Sequence, residues 1–250
     1  MDPYAAVILA GGAARRLGGV DKPMLMVGGR PMLHRVLDAV ADAVDRIVVG
    51  PPSLRLPAGV RRVREDPPGG GPVAATAAGL AGLAGAAGPA GSAVVAGSAV
   101  VAGSEVVAGP AGVRGSDAVE GPGVPGALTG LSVPVVALLA ADLPFLDRGS
   151  ILALRASLAG SEPGGGVPAG SGPDGVVFLD RDGRRQTLCG VWRTDSLRAA
   201  LARVEPAAGV PLRVLLAGLR VGEVSATAVG PPPWYDCDEP DDLHRAEEWI

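Results

Sequence analysis

One lysine, Lys22, stands among 22 basic side chains; the other 21 are arginine. Asparagine is absent and glutamine occurs once, at Gln186. A GC-rich genome leaves such a bias when it replaces Lys and Asn wherever chemistry tolerates the change, so a surviving Lys points to a position that Arg does not serve. The lysine closes the segment Leu9-Ala10-Gly11-Gly12-Ala13-Ala14-Arg15-Arg16-Leu17-Gly18-Gly19-Val20-Asp21-Lys22. Gly11 and Gly12 let backbone N–H groups approach an anion with no Cβ in the way. Arg16 and Lys22 bring two cations to the same loop. A triphosphate asks for that combination, with donors around it and positive charge where a leaving pyrophosphate gathers charge. The compact Lys ammonium acts as a point charge on phosphate oxygens, which a planar Arg fork reproduces poorly. No GxGxxG follows the first apolar run and no GxxxxGK[ST] is present, which disfavours a Rossmann dinucleotide site and a P-loop.

Asp142 is the second position with chemistry in it. It follows Val133–Ala140, the most apolar strand candidate in the chain. A carboxylate at the end of a buried strand lies at the rim where open α/β sheets bind ligands. Mg2+ is held in this manner, by one or two carboxylates together with phosphates and water. Cys189 and Cys237 are far apart with no CxxC, so neither a zinc module nor a disulfide scaffold is expected. Cys189 reads as a small buried hydrophobe rather than a nucleophile. His34 and His244 have no HxxxH pairing and read as surface or packing residues.

These residues need a scaffold, and the apolar pattern supplies one. Tyr4–Ala10 reads as a buried strand entering the glycine loop. Leu33, Val36, Leu37, Val40 and Val44 recur at helical spacing, with Pro31 near the start. Arg46–Val49 and Val60–Arg64 read as further strands, and a helix over Ala74–Leu83 follows Gly71-Pro72. Asp147 is placed to cap a helix through Leu158, and Asp195 another through Val204. Val176–Asp180 and Gln186–Arg193 flank Arg181-Asp182-Gly183, a hairpin signal. Glu239-Pro240 opens a last helix to Ile250. Nearly all-apolar strands alternating with helices predict an α/β fold, a Rossmann-like, mostly parallel sheet with helices on both faces and one edge hairpin. A single domain over residues 1–250 is expected, interrupted by a low-complexity, flexible insertion at 84–130. That insertion contains GSAVVA-GSAVVA-GSEVVA from Gly91 to Ala108, too few hexads to bury the apolar face of a β-helix.

Composition excludes several classes. At 250 residues and 48% hydrophobic content the chain has enough apolar material for a core. A net charge of −4 argues against a nucleic-acid binder with a general basic surface. The mean hydropathy of +0.33 comes from Ala, Val and Gly, and the uncharged run from Pro67 to Ser104 is broken by Gly and Pro, so no membrane span is expected. Met1-Asp2-Pro3-Tyr4 has no basic n-region, and a cytoplasmic location is expected.

The pattern LAGG-x3-R-x5-K resembles the nucleotidyltransferases of the NTP-transferase superfamily. The fuller LAGGAARRLGGVDKPML is similar to the molybdenum cofactor guanylyltransferase family. The resemblance implies that Leu9, Ala10, Gly11 and Gly12 contact GTP and that Arg16 and Lys22 hold its phosphates. Arg64-Glu65-Asp66, followed by Gly70-Gly71-Pro72, resembles that family's acidic residue before a helix, which makes Asp66 a guanine or ribose contact or else a turn cap. Asp142-Leu143-Pro144-Phe145 resembles the segment carrying the Mg2+-binding Asp, so Arg16, Lys22 and Asp142 become the catalytic set and Asp142 the metal ligand. Gln186–Arg193 resembles the strand near the acceptor. Tyr235–Leu243 resembles the closing segment, where Asp236 or Asp238 supplies a second carboxylate, Asp238 being equally well placed as a helix cap. Gly50 departs from the family, which often has Asn there.

The implied activity is transfer of GMP from GTP to molybdopterin cofactor with release of pyrophosphate. Its partners are then GTP and molybdopterin, with transient contact to other cofactor-biosynthesis or acceptor proteins. Two alternatives stand beside it: a related cytidylyltransferase or sugar or small-acid nucleotidyltransferase, and a non-catalytic protein that hands on the cofactor. The insertion generates a test of its own. Deleting Gly85–Gly126 is expected to leave a folded, active enzyme, because loop-closure entropy changes stability by only roughly 1 kcal/mol. Thermal melting with an activity assay reads it, and a collapse in either would show that the hexads serve as structure or as a docking surface.

Overall fold

The computed structural model describes residues 1–11, 21–84, 133–160, 172–225 and 230–250. Strand β1, Tyr4–Leu9, is buried along its whole length. Its side chains alternate between two cores, Tyr4, Ala6 and Ile8 joining one and Val7 and Leu9 the other. A strand apolar on both faces must be covered on both, and the helices do so. Helices α1 (Met32–Ala39) and α3 (Arg148–Gly160) supply Leu33, Leu37, Ile151 and Leu154 to the first core. Helices α2 (Gly71–Ala84), α4 (Thr194–Leu201) and α5 (Leu212–Leu216) supply Val73, Leu80, Leu197 and Leu215 to the second.

The remaining strands are a short β2–β3 ribbon (Met26–Val27 and Arg30–Pro31), β4 (Asp45–Val49), β5 (Arg61–Val63), β6 (Val135–Ala140), β7 (Gly175–Leu179), β8 (Arg185–Arg193) and β9 (Val221–Ser225). Among the described residues the main sheet runs β5-β4-β1-β6-β8-β7-β9. Pairing is parallel except along β8, which is antiparallel to both β6 and β7. The carboxyl ends of the parallel strands therefore share one edge, and Gly11, Gly50, Glu65 and Asp142 all lie just beyond them. Helix α6 (Pro240–Glu248) closes a small third cluster with Val27, Met32, Cys237 and Ala246. Among the described residues no helix is long and apolar enough to cross a membrane.

Several expectations need correction. The hairpin does not form the sheet edge: β9 pairs outside β7. That strand is only partly buried, with Gly222 and Glu223 diluting its apolar pattern, so it left little signal. Helix α1 stops at Ala39, and Val44 is exposed rather than part of its buried face. Helix α4 starts one residue before Asp195 and ends at Leu201, so Asp195 complements the helix dipole from the first turn instead of capping. Asp147 does cap α3, its Oδ1 accepting the Ser150 N–H at 2.7 Å. The insertion expected at 84–130 lies outside the described residues, apart from Ala84 at the end of α2.

Helix α2 approaches the sheet closely because it carries glycine at the contact. A Cβ added to Gly79 would overlap the Val7 side chain and come within 3.2 Å of Val49. Gly79→Ala is therefore expected to destabilise by about 1–2 kcal/mol net, overpacking outweighing the roughly 1 kcal/mol by which Ala favours a helix. A lower denaturant midpoint at unchanged m-value is the expected reading.

Candidate active site

Lys22 opens a short 3₁₀ turn, Lys22–Met24, which carries its ammonium back over the carboxyl edge of the sheet. There Nζ donates to Asp142 Oδ2 and, at 2.6 Å, to Asp238 Oδ1. Asp142 arrives from the end of β6, one residue past Ala141, whose N–H donates to Leu9 O at 3.1 Å and so registers the aspartate against the end of β1. Asp238 arrives from the segment before α6. It is free to do so because Glu239, not Asp238, is the helix cap: Glu239 and Asp242 form a reciprocal capping box, with Glu239 N–H donating to Asp242 at 2.9 Å.

The electrostatics follow from this packing. Burial pulls the Lys22 ammonium down, but the charge of Asp142 and the hydrogen bonds to Asp142 and Asp238 outweigh it and hold the pKa above its usual value. Lys22 stays charged at neutral pH. Asp236 shares a cavity of about 340 Å3 with Asp142, Asp238 and Trp234. Partial burial, then the like charges of Asp238 and Asp142, raise the Asp236 carboxyl above the ordinary range. Three carboxylates thus face one described ammonium. Among the described residues no three metal-ligating side chains gather into a complete site. Burial pushes the Cys237 thiol up to about 12 and raises that of Cys189 as well, so neither is a thiolate nucleophile.

On the far side of Asp142, Ala10 N–H donates to Val49 O at 2.8 Å, so that amide is spent within the sheet. Gly50 packs against this point. A Cβ there would lie 2.8 Å from Leu54 Cδ1 and 3.2 Å from Ala10 O. The missing side chain is the condition of that close approach.

A family profile described as the MobA-like NTP transferase domain matches residues 6–223. The chain belongs to that family of nucleotidyltransferases. A molybdenum cofactor guanylyltransferase of a Bradyrhizobium species is 41% identical over 78 residues, 30% of this chain and 37% of the relative. A probable molybdenum cofactor guanylyltransferase of Haloferax mediterranei is 53% identical over 45 residues, 18% of this chain and 21% of the relative. The chain thus spans well under half the length of these curated relatives. Among solved structures, the molybdopterin-guanine dinucleotide biosynthesis protein A of Archaeoglobus fulgidus superposes with a TM-score of 0.57 at 16% identity, covering 98% of this chain and 97% of that one. The 2-C-methyl-D-erythritol 4-phosphate cytidylyltransferase of Thermus thermophilus gives 0.56 at 18% identity, covering 99% and 98%. These likenesses carry the fold alone.

Of the residues singled out from the sequence, Leu9, Ala10, Gly11, Lys22 and Asp142 gather at one edge of this MobA-like domain. Gly12 and Arg16 lie outside the described residues. Asp66 is exposed beyond β5, and the acidic residue that turns toward the glycine loop is its neighbour. Glu65 is buried, its Oε1 accepting Gly69 N–H at 3.0 Å and lying 3.5 Å from where a Cβ on Gly11 would stand. Its Oε2 has no hydrogen-bond partner among the described residues. A tripeptide Arg-Glu-Asp offers no local signal of which carboxylate turns inward.

Lys22 generates the test. Lys22→Ala is expected to abolish turnover almost completely. The fold should stay intact by circular dichroism while the melting temperature falls, because Asp142, whose side chain is only 18% exposed, loses the ammonium that offsets its charge. Lys22→Arg is expected to be impaired as well; full activity in the Arg variant would make the lone lysine an accident of composition.

Proposed function

We propose that the chain transfers GMP from GTP to the terminal phosphate of molybdopterin cofactor, releasing pyrophosphate. The observation that carries this reading is the contact of Lys22 with Asp142 and Asp238 at the carboxyl edge of the sheet, beside the glycine loop. The names of the relatives supply the nucleotide and the acceptor.

An acceptor phosphate oxygen attacks the α-phosphorus in line and the bond to the β,γ-pyrophosphate breaks. The acceptor phosphate is already ionised at neutral pH, so no general base is needed. Lys22, with Arg16 from the loop, neutralises the charge that builds on pyrophosphate as it leaves. The described carboxylates fit a divalent cation. Asp142 and Asp238 already hold a cation between them in the form of the Lys22 ammonium, and their neighbour Asp236 is raised by partial burial and then by the charges of Asp238 and Asp142. Asp142 would hold the ion, with Asp238 or Asp236 as second carboxylate. When bound, Mg2+ polarises the phosphate and offsets its charge. Leu9, Ala10, Gly11, Gly12 and Asp66 are the nucleotide contacts in this reading.

Incubation with Mg-GTP and molybdopterin should yield the guanine dinucleotide and pyrophosphate in equal amounts, and a panel of nucleoside triphosphates should show GTP preferred over CTP. Asp142→Ala should lose Mg2+-dependent transfer and weaken GTP binding only when Mg2+ is present. Equal weakening with and without the metal would count against the ligand role.

A further inference from the structure

The edge that carries Asp142 holds a second cavity on the side away from Gly11. It encloses about 740 Å3 and is lined by Leu179, Asp180 and Asp182 at the β7–β8 turn and by Trp234, Tyr235 and Trp249 of the C-terminal segment. That volume falls within the range of about 300–1,000 Å3 usual for small-molecule pockets. The lining is unusual for this chain, which has only seven aromatic residues. Three of them line the cavity, and Phe145 and Phe178 pack behind those three. Tyr235 and Trp249 meet edge-on at 5.0 Å, Phe145 lies 5.9 and 5.6 Å from them, and Phe178 packs on Trp234 at 5.3 Å. Trp249 nevertheless remains 44% exposed. Trp234 lines both this cavity and the one containing Asp142, Asp236 and Asp238, so the two share a wall.

We propose that this cavity receives the pterin of the acceptor, its flat aminopyrimidinone ring stacked on Trp249 and Trp234, with its phosphate reaching past Trp234 to Lys22 and Asp142. The placement rests on the reading of the acceptor given above. The strand order separates the two features: the glycine loop follows β1, on one side of β6 and Asp142, while this cavity follows β7 and β9, on the other. A flat heteroaromatic ring gains from aromatic faces already held in place by edge contacts. The amino and ring N–H groups of a pterin form a donor edge, and Asp180 and Asp182 offer carboxylate acceptors at the rim. Asp180 is fixed in position, its Oδ1 accepting the N–H groups of Asp182 and Arg184 and its Oδ2 the Gln186 amide.

The test is titration of the full chain with 6-carboxypterin, read by ligand and tryptophan fluorescence, beside a separate titration with Mg-GTP. Trp249→Ala should weaken pterin binding about tenfold, the worth of one stacking face, and leave GTP affinity unchanged. The KM for molybdopterin should rise by a similar factor. Because Trp249 also packs on Phe145 and Tyr235, Asp182→Asn at the exposed turn gives a second reading free of packing effects, expected at about threefold. Pterin binding unaffected by both variants, or competed away by GTP, overturns the proposal. Pterin binding that falls in both variants while the wild type transfers nothing to molybdopterin sustains the pocket and sinks the proposed reaction.

Discussion

The ammonium of Lys22 sits between carboxylates from two remote parts of the chain, and the surrounding structure is arranged to make that contact. Asp142 comes from the centre of the sheet and Asp238 from the segment before the last helix. Like charges this close raise one another's cost of ionisation. Among the described residues three carboxylates thus gather around the Lys22 ammonium, with Arg185 lining the same cavity. Under the proposed reaction, a nucleotide carrying a divalent cation would meet these carboxylates with its charge already offset.

Sheet topology explains why the contact falls where it does. Parallel pairing of β5, β4, β1 and β6 puts every loop that follows them on the same edge, so Gly11, Gly50, Glu65 and Asp142 are neighbours without being close in sequence. The reversal at β8 changes what comes next. Its amino end, not its carboxyl end, meets that edge, which brings Arg185–Cys189 against Asp142 and turns the β7–β8 connection toward the aromatic cavity. Asp142 stands where the parallel half gives way to the mixed half.

Much of this was legible in the residues, and the misses have physical causes. Fully buried strands announce themselves as unbroken apolar runs, so β1, β4 and β6 were found nearly to the residue. The glycine loop and Asp142 stand out in the sequence because the features that mark them are local: a strand end, a turn, a charge. Asp238 was undecided between capping and ligation, because both roles look alike until the Glu239–Asp242 capping box is seen to relieve it. The partners of Lys22 lie 120 and 216 residues away, and no periodicity encodes such a pairing. Strand β9 and the inward turn of Glu65 depend on what packs beside them, which is a tertiary fact.

The composition of the core bears on the site as well. Its sheet is filled by Ala, Val, Leu and Ile at close approach, with α2 laying Gly79 and Gly82 directly on Val7 and Ile47. A core built from small side chains at short distance holds few rings: Tyr4, Phe178 and Trp192 are the aromatics it buries almost completely. The other four are held at the carboxyl edge, where Phe145, two residues past Leu143, ties the Asp142 loop to Tyr235 and Trp249. That cluster ties the C-terminal segment to the loop after β6, so that at this edge rings, rather than the aliphatic side chains of the sheet, carry the packing.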